Sequence, residues 1–249
     1  MTADFSGIAD DYYLNLNINT TMDLPTNRET VLQFCEAASK DFPAMTGFFQ
    51  RETGEYVLEG NHESGSYPWM ELQPKRIAAG FFNPDSVDRA TELHRWILNR
   101  STFFLGVSPL DVECLDLMVG FNLEYTGNRD AIVADALLAN SPLAGLIGDV
   151  CLHPLECQPS LVAALDEECY SQARLLVETR SNTYQVRTGN YDPEPISIYF
   201  TLRQYPKAGE RFAPEDCYQN LLHTLDEMTC RTIIPQIIHP IAAAIAASQ

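Results

Sequence analysis

The sequence predicts an α+β fold, in which helices pack on one face of a mostly antiparallel sheet. Residues 114–125 alternate apolar side chains with others that include Asp116, Asn122 and Glu124. Successive side chains of a strand point to opposite faces, so this segment is a long strand with one buried and one largely polar face. Residues 196–203 alternate in the same way. Half-exposed strands of this kind favour antiparallel pairing.

The polar face of residues 114–125 is a surface on which we expect a contact. Met118 and Gly120 lie on this face and make it less polar than full exposure to water requires. We therefore expect something to lie over it, and the sequence does not identify what that is.

Residues 12–74 predict a strand, a helix and a hairpin. In residues 12–19 apolar side chains alternate with asparagines, as in a half-buried strand. Thr26 followed by Glu29 is the capping-box pattern, so a helix is expected to begin there. The predicted hairpin strands are residues 44–51 and 55–58, and residues 61–74, rich in turn formers, form a loose loop.

Residues 75–180 predict a ferredoxin-like order of elements. Asn83 before Pro84 is a favourable helix start, and Asn128 caps a second helix. The predicted strands are residues 75–82, 102–107, 114–125 and 172–180, with a short helix at residues 160–168. The resulting order is β-α-β-β-α-β. The opening segments repeat part of this order, which indicates possible duplicated βαββ units.

We divide the chain into four parts that pack together as one globule. They are a flexible lead-in (1–11), a βαββ unit (12–74), a ferredoxin-like unit (75–180) and a strand with a C-terminal helix (181–249). Residues 184–191, with Arg180 and Arg187 nearby, form a basic and aromatic neighbourhood that could receive an anion or an acidic peptide, and a hairpin connection explains them as well. Pro214 opens the last helix, and residues 233–247 are more apolar than an exposed helix requires. That tail packs either on its own domain or on a second subunit.

The charge of the chain excludes two classes of partner. Sixteen basic residues against 34 acidic ones give a net charge of −18. Such a surface repels nucleic-acid backbones and anionic membranes, so we predict no nucleic acid and no membrane as partners. The simplest reason for the charge is solubility, and a basic partner or a divalent cation is the alternative.

A reduced cytoplasmic protein is the expected setting. The first residues lack the basic and apolar regions of a secretory signal, and no unbroken apolar run reaches the roughly 18 residues of a membrane helix. The seven cysteines are scattered and include no Cys-x-x-Cys pair. Free thiols are typical of this setting.

One cluster has the residue types of a metal site. Cys151, His153, Glu156 and Cys157 lie within seven positions, and zinc accepts all three kinds of ligand. The spacing between the cysteines is loose and no second ligand pair follows, so we favour a structural role and predict no metal or cofactor.

His62 beside Glu63 is the other candidate. The pair lies in the predicted loop with Tyr67 and Trp69, and loops carry functional residues disproportionately. A histidine with a neighbouring carboxylate could perform general acid–base chemistry, provided that both face the same point. Adjacent loop residues need not do so, and an ordinary loop explains them as well.

The function expected from these observations is non-catalytic. No catalytic constellation is recognisable, so we predict a ligand-binding or protein-interaction protein that forms a homo-oligomer. The alternative is a hydrolytic or metal-dependent enzyme whose site is assembled from distant segments, with His62 and Glu63, or Cys151, His153 and Cys157, as its residues. A structural component of a larger assembly is a third possibility.

Overall fold

Two long strands with alternating apolar residues lie side by side. β1 (Asp11–Thr20) and β6 (Val112–Leu123) pair in antiparallel register, with Leu16 opposite Leu117. Every second residue of β1 is buried, which confirms the half-buried strand predicted for this segment. Leu16 and Leu117 are fully buried, so this pairing forms the centre of the core.

Seven further strands extend this pair into one sheet. In this computed structural model, residues 5, 7–149, 153–209 and 211–248 are described, and their pairing is antiparallel throughout. The other strands are β2 (Gly47–Gln50), β3 (Tyr56–Glu59), β4 (Tyr67–Gln73), β5 (Arg76–Phe82), β7 (Ser160–Ala164), β8 (Ser171–Glu178) and β9 (Ile196–Gln204). The order across the sheet is β2-β3-β4-β5-β1-β6-β9-β8-β7.

The long helices bury their apolar sides on one face of this sheet. The helices are α1 (Arg28–Asp41), α2 (Val87–Leu105), α3 (Arg129–Leu138), α4 (Ala144–Asp149), α5 (Thr183–Thr188), α6 (Pro214–Met228), a π-helical segment (Thr229–Ile238) and α7 (His239–Ser248). Phe34, Leu93 and Leu221 from three of them share a core with Leu16 and Leu117. The predicted α+β class is therefore confirmed. We call the opposite side of the sheet the open face, because many of its side chains are only half-buried.

The strand predicted at residues 102–107 is wrong, because α2 continues to Leu105 and ends at Gly106. Ser101 and Leu105 are both buried, one helical turn apart, so packing on the core overrides the local β propensity. Gly106 ends the helix with a φ of 69°, a left-handed conformation that glycine adopts at no steric cost. Without this strand, the ferredoxin-like order predicted for residues 75–180 is not confirmed.

The loose loop predicted at residues 61–74 is also wrong. It contains a single helical turn (His62–Ser64) followed by β4, which pairs with β3 and β5. Pro68, Met70 and Leu72 are buried at alternate positions, as in a strand. The turn-forming residues around them made this two-residue alternation hard to recognise in the sequence. Pro68 lies near the start of the strand, where a missing N–H is tolerated.

Two connections have the opposite structure to the one predicted. Residues 160–168 were predicted as a helix, but Ser160–Ala164 pairs with β8 as β7, and its five exposed residues offer no apolar stripe for a helix. The hairpin connection at residues 184–191 contains α5 instead. Reciprocal hydrogen bonds between Asn182 and Gln185 form a capping box at the start of α5.

The residues that start the helices are partly as predicted. Asn128 caps α3 through its side chain, which accepts a hydrogen bond from the backbone of Ala131. The N-cap of α1 is Asn27 rather than Thr26. The N-cap of α2 is Ser86 rather than Asn83. The side chain of Asn83 forms hydrogen bonds with the first two residues of β1 instead.

The C-terminal helical run packs on its own domain. Ile233, Ile238 and Ile241 are buried in the core. The run Pro214–Ser248 is long and apolar enough, by length and composition, to cross a membrane, which is weak evidence because core helices pass the same test. The buried isoleucines account for part of its apolar composition, since 22% of the most apolar window is buried.

His94 on α2 makes the stability of this core depend on pH. The side chain is fully buried, and its Nδ1 lies 3.0 Å from the hydroxyl of Tyr218 on α6. Burial lowers the pKa of His94 from 6.5 to about 3. Because the unfolded chain then binds a proton that the folded chain does not, stability falls as the pH drops below 6.5.

We expect His94→Gln, which cannot titrate, to reduce this pH dependence. Between pH 7 and pH 5 the wild type should lose ~2 kcal/mol of unfolding free energy more than the variant, as measured by urea denaturation. His223→Gln, at an exposed position of α6, is the matched control and should behave as the wild type. Equal pH dependence in the wild type and His94→Gln would contradict a neutral buried histidine.

Candidate functional site

Aromatic side chains form a row across the open face of the sheet. Tyr67, Phe82, Tyr13 and Tyr199 come from β4, β5, β1 and β9, and we call them the aromatic row. The ring centroids of Tyr67 and Phe82 are 5.3 Å apart, and those of Phe82 and Tyr13 are 5.9 Å apart. Tyr13 meets Tyr199 edge-on at 6.3 Å. Cross-strand aromatic pairs of this kind stabilise a sheet and leave a continuous apolar strip.

Two glycines make room for this arrangement. Gly120 lies between Tyr13 and Tyr199 in the sheet, and a Cβ atom there would come within 2.2 Å of the Tyr13 ring. A Cβ atom at Gly80 would come within 2.0 Å of Asn15 Oδ1 and 2.9 Å of Trp69 Nε1. No real Cβ contact is that short, so both positions require glycine for these side chains to lie close to the backbone.

The strip is the floor of an open groove of about 450 Å³. Trp69 and Asn15 extend the floor beside the aromatic row, while Arg180, Glu194 and Ser197 line one end. We call this cavity the open-face groove. It combines apolar rings with a few polar groups, which is the usual composition of a small-molecule site.

Arg180 enters the groove from a backbone conformation that is rare outside glycine. Its φ is 52°, and its guanidinium donates hydrogen bonds to Ser197 Oγ at 2.8 Å, to the Tyr199 hydroxyl at 2.6 Å and to Glu178 at 2.6 Å. Strained residues of this kind cluster at functional sites. Asn83, directly after Phe82 of the aromatic row, also has a positive φ, of 45°.

A buried arginine holds the segment that carries Glu194. Arg129 at the start of α3 is fully buried, and its Nη1 donates to the backbone oxygens of Asp192 at 2.9 Å and Glu194 at 3.0 Å. Its Nε donates to the backbone oxygen of Thr179 at 2.6 Å, just before Arg180. Its buried Nη2 has no hydrogen-bond partner among the described residues, so Nε and Nη1 make the bonds that fix both segments at this end of the groove.

Burial raises the pKa values of two tyrosines of the groove. It raises the pKa of Tyr13 far above its usual range, with the neighbouring Tyr199 adding to the effect. Burial also raises the pKa of Tyr67, helped by the negative charges of Glu59 and Asp11. Phenols are already neutral at physiological pH at their ordinary pKa of 10.0, and the raised pKa extends this neutral, hydrogen-bonding state to more alkaline pH.

His62 contacts the aromatic row, but its carboxylate partner is not Glu63. Its Nε2 lies 3.1 Å from Glu59 Oε1, and its ring stacks on Tyr67 at a centroid distance of 4.2 Å. The backbone N–H of Glu63 donates to the side chain of Asn61 in the same turn. The candidate acid–base pair of His62 with Glu63 is therefore replaced by a contact with Glu59, and His62 extends the aromatic row at its β4 end.

The structure gives no support to the cysteine cluster as a metal site. Cys151 lies outside the described residues, His153 is exposed and Cys157 is half-buried. The backbone N–H of Cys157 donates to Asp130, which ties this segment to α3. Within the described residues, no group of three or more His, Cys, Asp or Glu side chains could hold a metal ion.

Part of the groove was visible in the sequence. Tyr67 and Trp69 stand out in the segment 61–74, and Gly120 and Asn122 lie on the face of β6 on which we expected a contact. Arg180 stands out from the sequence only as a basic residue near the aromatic segment 184–191, because its conformation and its partners depend on the pairing of β8 with β9.

Comparisons with known proteins identify no family for this chain. No protein-family model matches it, and no curated protein does. Among solved structures, it has a slight similarity to the crystal structure of the di-domain ARO/CYC BexL from the BE-7585A biosynthetic pathway. The TM-score is 0.22 at 5% identity, over 94% of this chain and 98% of that chain. A TM-score this low carries no argument about fold or function.

Proposed function

We propose that this protein binds a small molecule in the open-face groove and does not transform it. The observation that carries the proposal is the aromatic row, laid over glycines on a half-buried sheet face beside Arg180, whose backbone is strained. The strained backbone at Arg180 is energetically unfavourable, and strain of this kind is usually retained where it positions groups for binding a ligand.

The hydrogen bonds in the groove support binding rather than catalysis. Ser197 donates to the amide oxygen of Asn122 at 2.8 Å and accepts from Arg180. An amide oxygen is too weak a base to remove the hydroxyl proton, so this serine is not activated as a nucleophile. The neighbouring groups act as fixed donors and acceptors that would orient a ligand.

The order of elements supports a duplicated origin, which we also propose. Each half starts with a central strand (β1 or β6), continues through a helix and an antiparallel meander, and ends in a long helix (α2 or α6). The groove crosses the β1–β6 junction where the halves meet. A superposition of the halves that left their helices unmatched would argue against duplication.

A homo-oligomer remains our proposal for the assembly, through the edge strand β7. Its five residues are all exposed and uncharged, with 65% of Leu161 and 56% of Val162 accessible. Unprotected apolar edges pair with other strands. Antiparallel pairing of two copies centred on Val162 would place Leu161 opposite Ala163 without opposing charges.

We expect planar aromatic fragments to perturb the indole resonance of Trp69 and not that of Trp96. Trp69 lines the groove, whereas Trp96 binds Asp41 among the helices. Gly120→Ala should abolish the perturbation, because the added Cβ displaces the Tyr13 ring from the groove floor. The measurement is a fragment titration followed by ¹⁵N NMR.

Gly145→Ala is the control for this titration, since a Cβ at that position meets no atom within 4 Å. It should bind fragments as the wild type does. A fragment set that leaves Trp69 unmoved, or that moves it equally in Gly120→Ala, would rule out the groove as the binding site.

We expect Val162→Lys to dissociate a dimer formed through β7, because a charge on an edge strand blocks pairing. Light scattering across a range of protein concentrations measures this, and added salt should favour the dimer by screening the net charge of −18. Leu110→Lys, at a 97% exposed position outside the sheet, is the matched control. A wild type that stays monomeric at every concentration would contradict this assembly.

A further inference from the structure

We propose that the ligand of the open-face groove is a planar organic cation whose charge is met by Glu194. The inference rests on the proposed binding function and adds the chemical class of the ligand. It depends on three features of the groove, which are its charge, its rings and the fixed position of Glu194.

The groove carries more negative than positive charge. Glu194 lines it, is exposed, and forms no ion pair with any described residue. The charge of Arg180 is compensated by Glu178, whose carboxylate lies 2.6 Å from Nη2. At the other end of the groove, the Glu59 carboxylate lies 3.1 Å from His62 Nε2. The buried Arg129 guanidinium interacts electrostatically with the Glu194 carboxylate but forms no salt bridge with it. A cation entering this groove can therefore form the ion pair that Glu194 lacks, and the net charge of −18 attracts it from a distance.

An anionic ligand would have to compete for Arg180. The guanidinium already donates to Ser197, Tyr199 and Glu178. An incoming anion would lie close to the Glu178 carboxylate and would also be repelled by Glu194. The arginine therefore acts as a positioning residue for the groove wall and not as an anion receptor.

The rings favour a planar cation over a compact one. The rings of Tyr67 and Phe82 lie within 22° of parallel, and those of Phe82 and Tyr13 within 16°. Rings this close and this parallel overlap as a stack instead of lying in one plane. The ring faces that remain open attract positive charge and can stack on a planar ligand. Trp69, the strongest kind of cation–π partner, lies in the same groove.

Glu194 is held in place at the end of this strip. Arg129 binds its backbone oxygen at 3.0 Å, and Pro195, which follows it, also lines the groove. A carboxylate on a fixed backbone loses less freedom when it pairs with a ligand, so it acts as a preorganised counter-ion.

The test compares three ligands of matched shape by their effect on the Trp69 indole resonance. They are N-methylquinolinium, methylnaphthalene and naphthoate, which are cationic, neutral and anionic. We expect the cation to bind about tenfold more tightly than the neutral ligand, as a cation–π contact combined with an ion pair allows. Glu194→Gln should remove most of that preference while methylnaphthalene binds as before.

Glu92→Gln removes the same charge from an exposed position on α2, on the other side of the sheet, and should keep the preference. If methylnaphthalene or naphthoate binds as tightly as the cation, the proposal of a cationic ligand is overturned, while the groove remains a binding site. If none of the three perturbs Trp69 at saturation, the binding function is overturned with it.

Discussion

The pairing of β1 with β6 is the constraint on which both faces of the sheet depend. Its register sets Leu16 against Leu117 on the helix side and Asn15 against Met118 on the open face. Because side chains alternate along a strand, a slip of one residue would turn the asparagines of β1 into the core and expose its leucines. Burial of the apolar side fixes the register, and the register then determines which side chains form the groove.

The groove follows from this register and from two residues without side chains. The pairing brings Gly120 next to Tyr13, and the neighbouring pairing of β1 with β5 brings Gly80 next to Asn15. Larger residues would hold the rings and the amide away from the sheet. Arg129, buried beneath the end of the groove, fixes the segments that carry Arg180 and Glu194. The helix-side core thus supports a precise arrangement on the opposite face.

Local patterns predicted the elements in which one signal dominates. β1, β6, β9 and the helix capped by Asn128 have clear alternation or a clear cap, and the structure contains each of them. The errors fall where tertiary packing decides between two local possibilities, as in residues 102–107, which join α2 because the helix buries Leu105. Edge strand β7 carries no periodicity that distinguishes it from a helix.

The candidate site was predictable only in part. Tyr67, Trp69 and Gly120 stood out from sequence, because aromatic and small residues are conspicuous on a half-polar strand face. The partner of His62 could not be predicted, since Glu59 precedes the turn and reaches His62 through the turn's geometry. The role of Arg180 depends on its left-handed backbone conformation, which no local sequence pattern predicts.

The open face is accessible to solutes in the free protein, and the fluorescence of Trp69 tests this directly. With Trp96 replaced by phenylalanine, Trp69 is the remaining tryptophan of the chain. Acrylamide quenching should then show a half-exposed indole in dilute protein, in keeping with its partial burial in the groove. A Trp69 fully protected from acrylamide in dilute protein without ligand would contradict the account, because the face would then be covered.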